Sequence, residues 1–265
     1  MSVRRCSSNW MTGILLLASL AAAEPMSAQA RPLTGSARWA DSAQRILDAA
    51  VMAGDVDAIR AAKGVAERAL LAFPEDAMLL HYQGTALWRE AQLRMGMGQE
   101  DEATVLFERA IAVLQRSAAA RPLAETQAII ASSFGTLAGG GMTAGIRYGP
   151  RASEAEEIAR VLGAQNPRVL LLTGISAYYK PAAFGGGKEK ARTAVTQAIV
   201  AFGRERVESP LPAWGHAEAY AWLGQFEVAE GNREAARRAY ERALELAPQY
   251  TWVSRVLLPA LDRPR

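Results

Sequence analysis

The side chains able to do chemistry are few and scattered. His81 and His216 are the only histidines, and Cys6 is the only cysteine. A metal centre needs three or four such ligands converging, and a serine or cysteine nucleophile needs a base beside it; neither set can be assembled from these residues. Glu100-Asp101-Glu102 and Glu156-Glu157 fall near expected helix starts, where the helix dipole favours acids without any catalytic purpose. The stretch "FGGGKEK" at 184–190 follows the apolar run "RVLLLTGI" and has the look of a phosphate loop. Ala182 and Glu189, however, stand where such a loop needs Gly and Ser or Thr, and no second comparable strand exists to build a sheet. The expectation is therefore no catalytic residue, no metal site and no cofactor. His81 is expected at the surface or in a binding face, and His216 near a helix start.

The segments that must position whatever remains begin after residue 30. Arg4 and Arg5 precede an uncharged run from Trp10 to Ala23 and then the small-residue site Ala28-Gln29-Ala30, the layout of a secretory signal peptide cut after Ala30, with an earlier cut after Ala23 as the alternative. Residues 31–37 are expected to be a linker. Cys6 precedes the apolar run, which leaves a processed chain with neither lipid anchor nor disulfide. Removing residues 1–30 deletes Arg4, Arg5 and Glu24, leaving 28 basic and 26 acidic residues. A net charge of +2 argues neither for nucleic acid nor for a membrane surface, and no nucleic-acid partner is expected. No later segment is long and apolar enough for stable membrane insertion.

Half of the residues are apolar, aromatics are sparse and alanine is abundant, a composition that points to helices. From Ala217 to Tyr250 apolar and small residues recur at three- and four-residue intervals in two blocks separated by Gly231-Asn232. That pattern predicts two amphipathic helices and a tight turn, with Asn232 capping the second and Pro248 stopping it. Gly224, Ala236 and Ala243 lack bulk where two helix backbones approach, and Leu223, Tyr240 and Leu244 fill the space around them. One such hairpin cannot cover its own apolar face, so neighbours must stack on it.

These residues resemble the tetratricopeptide repeat (TPR), a hairpin of about 34 residues. Tyr220, Leu223, Gly224, Ala236, Tyr240, Ala243 and Pro248 supply its pattern; Glu227 departs from it where the family usually carries an aromatic. The second-helix signature recurs at Ala62, Ala103, Ala191 and, more loosely, Ala155, spaced by 41, 52, 36 and 45 residues up to Ala236. Gly84 and Gly174 occupy the close-packing place in two of the preceding helices. The resemblance implies an all-α, TPR-like α-solenoid over residues 38–262, with about five helical hairpins, the clearest at 217–250, and "YTWVSRVLLPAL" as a C-terminal capping helix.

The resemblance further implies a concave face lined by the first helix of each hairpin. Its inward places carry over to His81, Thr85, Trp88 and Arg89 in the second hairpin, and to Leu171, Ile175, Tyr178 and Tyr179 in the fourth. In the fifth they fall on Glu218, Ala221, Gln225 and Val228. Aromatic rings and an arginine there could stack on a peptide or organic ligand, or could equally fill gaps between helices. The glycine-rich stretch 137–150 reads as a long loop, either a flap over that face or a flexible insertion. In "YYKPAAFGGGKEKA", Phe184 is available as an apolar plug, or the segment is a plain connection within a hairpin. The short Pro-x-x-Phe-Gly-Gly turn is similar to one in exported bacterial TPR proteins, including the lipoprotein partner of TRAP transporters. Two functions are thus expected: a non-catalytic protein- or peptide-binding scaffold of the cell envelope, periplasmic or secreted, or a small-ligand-binding partner of a transporter.

Overall fold

The structure, a computed structural model, describes residues 33–263; the expected signal peptide lies outside the described residues. Among the described residues every regular element is helical. The helices pair as antiparallel hairpins: α1 (Ser36–Ala53) with α2 (Val56–Leu70), α3 (Ala77–Gly96) with α4 (Glu100–Ala120), and α5 (Ala124–Ala138) with α6 (Met142–Gly163). After these, α7 (Pro167–Tyr179) pairs with α8 (Lys188–Arg204) and α9 (His216–Ala229) with α10 (Arg233–Leu246). A π turn (Val253–Leu257) continues into α11 (Leu258–Leu261) and covers the last hairpin, its Val253, Leu257 and Leu261 packing with Tyr240 and Ala243. The chain is thus an all-α, TPR-like solenoid of five hairpins with a capping helix.

Local chemistry sets the ends. Asp55 accepts from the Ala58 amide, Asp76 from the Met78 and Leu79 amides and Asn166 from the Arg168 amide, each satisfying donors that a helix start leaves free. Gly54 and Gly231 adopt positive φ (69° and 83°), which turns the chain between paired helices where a side chain would be strained. Asn232 does stand at the start of α10, yet its side chain does not cap the helix. Its amide instead donates to Glu227 Oε2 at 2.9 Å.

The small residues stand at the seams. A Cβ on Gly84 would sit 2.5 Å from Leu114, one on Gly174 2.7 Å from Val195 and 3.0 Å from the Ala191 carbonyl, and one on Gly224 2.2 Å from the Tyr240 ring. Ala236 and Ala243 are fully buried beside Tyr240, and half-buried Leu223 packs on the neighbouring central core. Glu227, the departure from the repeat pattern, is buried and paired with Arg192 of α8, so an ion pair replaces the usual ring in tying the fourth hairpin to the fifth.

Three expectations are corrected. Residues 142–150 are no loop: α6 starts at Met142 and runs through Pro150, leaving only 139–141 as the turn. Tertiary anchoring overrides the poor helix propensity, since Tyr148 stacks on Phe134 with ring centroids 6.1 Å apart and donates to Glu108 at 2.7 Å. Phe184 plugs nothing; it is 76% exposed in a short 3₁₀ turn (Ala182–Phe184). The close approach in that connection belongs to Gly186, where a Cβ would lie 1.7 Å from the Lys180 carbonyl oxygen. The linker is also shorter than expected, because α1 already begins at Ser36.

Candidate functional site

The inner side of the array is closed. His81, Thr85, Trp88, Arg89, Leu171 and Glu218, expected to face an open groove, are all buried. The physical reason is twofold. The solenoid curls until α3 of the second hairpin meets α9 of the fifth, and the connector 205–215 fills the space left between them.

The meeting of α3 and α9 is an ion pair. Arg89 forks onto Glu218 with both N–H···O distances 2.7 Å and both side chains 8% exposed. Buried charges of this kind persist only when each hydrogen-bonds the other, because either alone would keep its full desolvation cost. A second fork, Arg168 to Glu205 at 2.7 and 3.0 Å, ties α7 to the start of the connector. Trp214 lies between the two arginines, 4.7 Å from the Arg89 guanidinium and 5.9 Å from that of Arg168, with its ring 5.6 Å from Trp88. At the other end of the array, the Thr251 hydroxyl bonds to the Ala53 carbonyl at 2.8 Å, so the capping helix touches the end of α1.

Titratable groups respond to this interior. Asp48 of α1 is largely buried, and burial pushes its carboxyl up to about 6, with Glu218 adding to the rise and Arg89 and Arg168 opposing it. Burial, assisted by Arg168, drives His81 down to about 3. His81 is therefore a neutral core residue. The Thr85 hydroxyl donates to the His81 carbonyl at 2.7 Å, which leaves its oxygen to accept from Nε2, while Nδ1 lies 2.9 Å from Thr126 and accepts from that hydroxyl. His216 is the first residue of α9 and stacks between Phe202 and Tyr220.

The remaining expected residues of the fourth and fifth hairpins behave differently. Tyr179 is 68% exposed, and Tyr178, Ile175 and Gln225 are half-buried. Tyr178 stacks on Phe226 at 4.7 Å, and Tyr179 meets Trp222 edge-on at 6.2 Å. Trp222 in turn meets Trp252 at 6.0 Å. The result is an aromatic strip across α7, α9 and the cap, partly open to solvent. Sequence reasoning found its tyrosines and missed Trp222 and Trp252. It also missed Asp48, Arg168, Glu205 and Trp214. A signal existed: the 45-residue spacing from Ala191 to Ala236 leaves extra residues around "SPLPAW" that a hairpin junction does not need.

Among the described residues no group of three or more His, Cys, Asp or Glu is placed to hold a metal ion, and no helix is long and apolar enough to cross a membrane.

A helical-hairpin array of this kind defines a class, and comparison with known proteins gives it a name. Residues 217–250 match the tetratricopeptide repeat family, and the chain is similar in fold to a solved TPR protein. One is a thermophilic TPR protein of Thermus thermophilus, at 20% identity and TM-score 0.55, covering 84% of this chain and 98% of that one. MamA of Desulfovibrio magneticus RS-1 overlaps less well, at 15% identity and TM-score 0.37 over 79% of this chain and 96% of that one. No curated protein matches the chain in sequence.

Proposed function

We propose that the chain is an exported, non-catalytic scaffold of the cell envelope that holds a protein or peptide partner. The observation that carries this reading is the aromatic strip Tyr178, Tyr179, Trp222 and Trp252, spread over α7, α9 and the cap and left partly exposed. Aromatic rings supply large contact area at low entropic cost, which is why they dominate protein interfaces. Non-catalytic action is supported by the commitment of the interior arginines and glutamates to one another in two-pronged pairs. Export is supported by the sequence of residues 1–30 alone.

An enclosed apolar pocket among Trp88, Tyr178 and Tyr179 would favour the transporter-partner alternative. Trp88 packs on Trp214 and Tyr178 on Phe226, so these rings fill one another's space, which favours the scaffold. A photo-crosslinking residue at position 179, expressed in the native host, should join the protein to a polypeptide of the envelope fraction, and Trp222→Ala should reduce the yield. Crosslinking to no polypeptide, with a small organic molecule retained on the purified protein, would reverse the choice.

A further inference from the structure

The connector between α8 and α9 runs through the inner side of the array instead of over its rim. The other junctions between hairpins, 71–76, 121–123 and 164–166, are short, whereas this one spans 205–215 without regular secondary structure. It bends once, the Leu211 amide donating to the Glu208 carbonyl at 3.0 Å, and side chains of the first two hairpins grip the bend. Gln44 Nε2 donates to the Leu211 carbonyl at 3.0 Å, the Tyr82 hydroxyl donates to the Pro210 carbonyl at 2.5 Å, and Ser209 bonds to Asp41. Pro210 and Pro212 bring no N–H into this setting, so neither adds a buried donor that would need a partner. Leu211 packs against the apolar cluster of the first two hairpins, and Trp214 is the buried anchor between Arg89 and Arg168.

The fit is incomplete in one respect. The indole N–H groups of Trp88 and Trp214 and the Nε of Arg168 are buried without a hydrogen-bond partner. Buried donors are normally matched, and the two on the face, at Trp88 and Arg168, mark a surface with unused capacity for acceptors, while the third lies on the segment itself.

We infer that residues 205–215 are an internal stand-in for a partner's segment. The inner face takes a bent, proline-containing stretch with a leucine and an aromatic anchor, here supplied by the chain itself, and a partner gains that face by displacing it. This deepens the scaffold reading and rests on it. A tethered segment competes at an effective concentration of roughly millimolar, so the intact chain takes up a free copy of the same segment only weakly.

The test uses a fluorescent peptide of residues 205–215 titrated against the full chain, wild type and Trp214→Ala. Loosening the anchor raises the fraction of open face, and the variant is expected to bind the peptide about tenfold more tightly or better, while a peptide with alanine for the tryptophan binds neither protein. Equal affinity for the two proteins, or no binding by a variant whose circular dichroism is unchanged, overturns the inference. Should Trp214→Ala not fold, proton exchange of the Trp214 indole in the wild type decides. Exchange about a hundredfold faster than the Leu87 amide shows the segment opening on its own, and exchange at the same rate overturns the inference. A chain that takes up the peptide but crosslinks to no envelope polypeptide sinks the scaffold reading alone. A chain that crosslinks to one but never opens sinks the displacement alone.

Discussion

At the hairpin seams, Gly84, Gly174 and Gly224 let one helix settle against the next with nothing between them except apolar side chains. On the inner face, α3 meets α9 through Arg89 and Glu218 and α7 meets the connector through Arg168 and Glu205, with Asp48 of α1 buried in their field. The seams are held by shape, and their stability tracks volume. The inner face is held by charge removed from water, where each group is worth having only while its partner is present. The difference teaches that a repeat array can be built from one rule and closed by another.

The largest effect should come from breaking the inner face asymmetrically. Glu218→Ala leaves the Arg89 guanidinium buried and unpaired and is expected to cost about 3–5 kcal/mol in a denaturant melt. Replacing both partners together, Arg89→Met with Glu218→Leu, should recover most of that loss. A single variant no worse than an exposed pair such as Arg45 and Asp41 would mean that charge does not hold this face.

Asp48 offers the next test, with the opposite sign. Its folded-state value of about 6 lies above the ordinary 3.8, so the folded state binds the proton more tightly, and the stability this proton confers is lost as pH rises from about 4 through about 6. Asp48→Asn should therefore match the wild type near pH 4 and exceed it by roughly 2–3 kcal/mol at pH 7 and above. Thermal melts across that range check it; a gain that does not depend on pH would remove Asp48 from the charge-held set.

The smallest expected effect lies at a seam. In Gly174→Ala the new methyl meets the Ala191 carbonyl and the Val195 amide as well as a side chain, so backbone must move, at a cost of about 1–3 kcal/mol that is insensitive to pH and salt. Strong salt dependence there would blur the distinction between the two regions.

The seams were legible in the sequence because glycine and alanine at helical spacing report a local constraint, repeated five times. Gly224, Ala236, Tyr240 and Ala243 lie within one hairpin and need no knowledge of the rest of the chain. The inner face was not legible. Arg89 and Glu218 are 129 positions apart, and their meeting depends on how far the whole array curls. Trp88 lies on α3, a helix the repeat pattern reveals, but what covers it, Trp214 and its connector, belongs to the far end of the chain. The glycines at 139–149 misled for a related reason. Their low helix propensity is local, whereas the Tyr148 contacts with Phe134 and Glu108 that hold α6 helical are not.

The bond from Thr251 to the Ala53 carbonyl joins residues 198 positions apart. An open repeat array can begin folding at any hairpin and lengthen from there, each unit consulting only its neighbours. A ring has no such freedom at its last step, since loop closure over nearly the whole chain must come before that contact gains anything. The final locking of this molecule should thus be slow and all-or-none, and a truncation at either terminus should leave hairpins that form yet lack a common melting point.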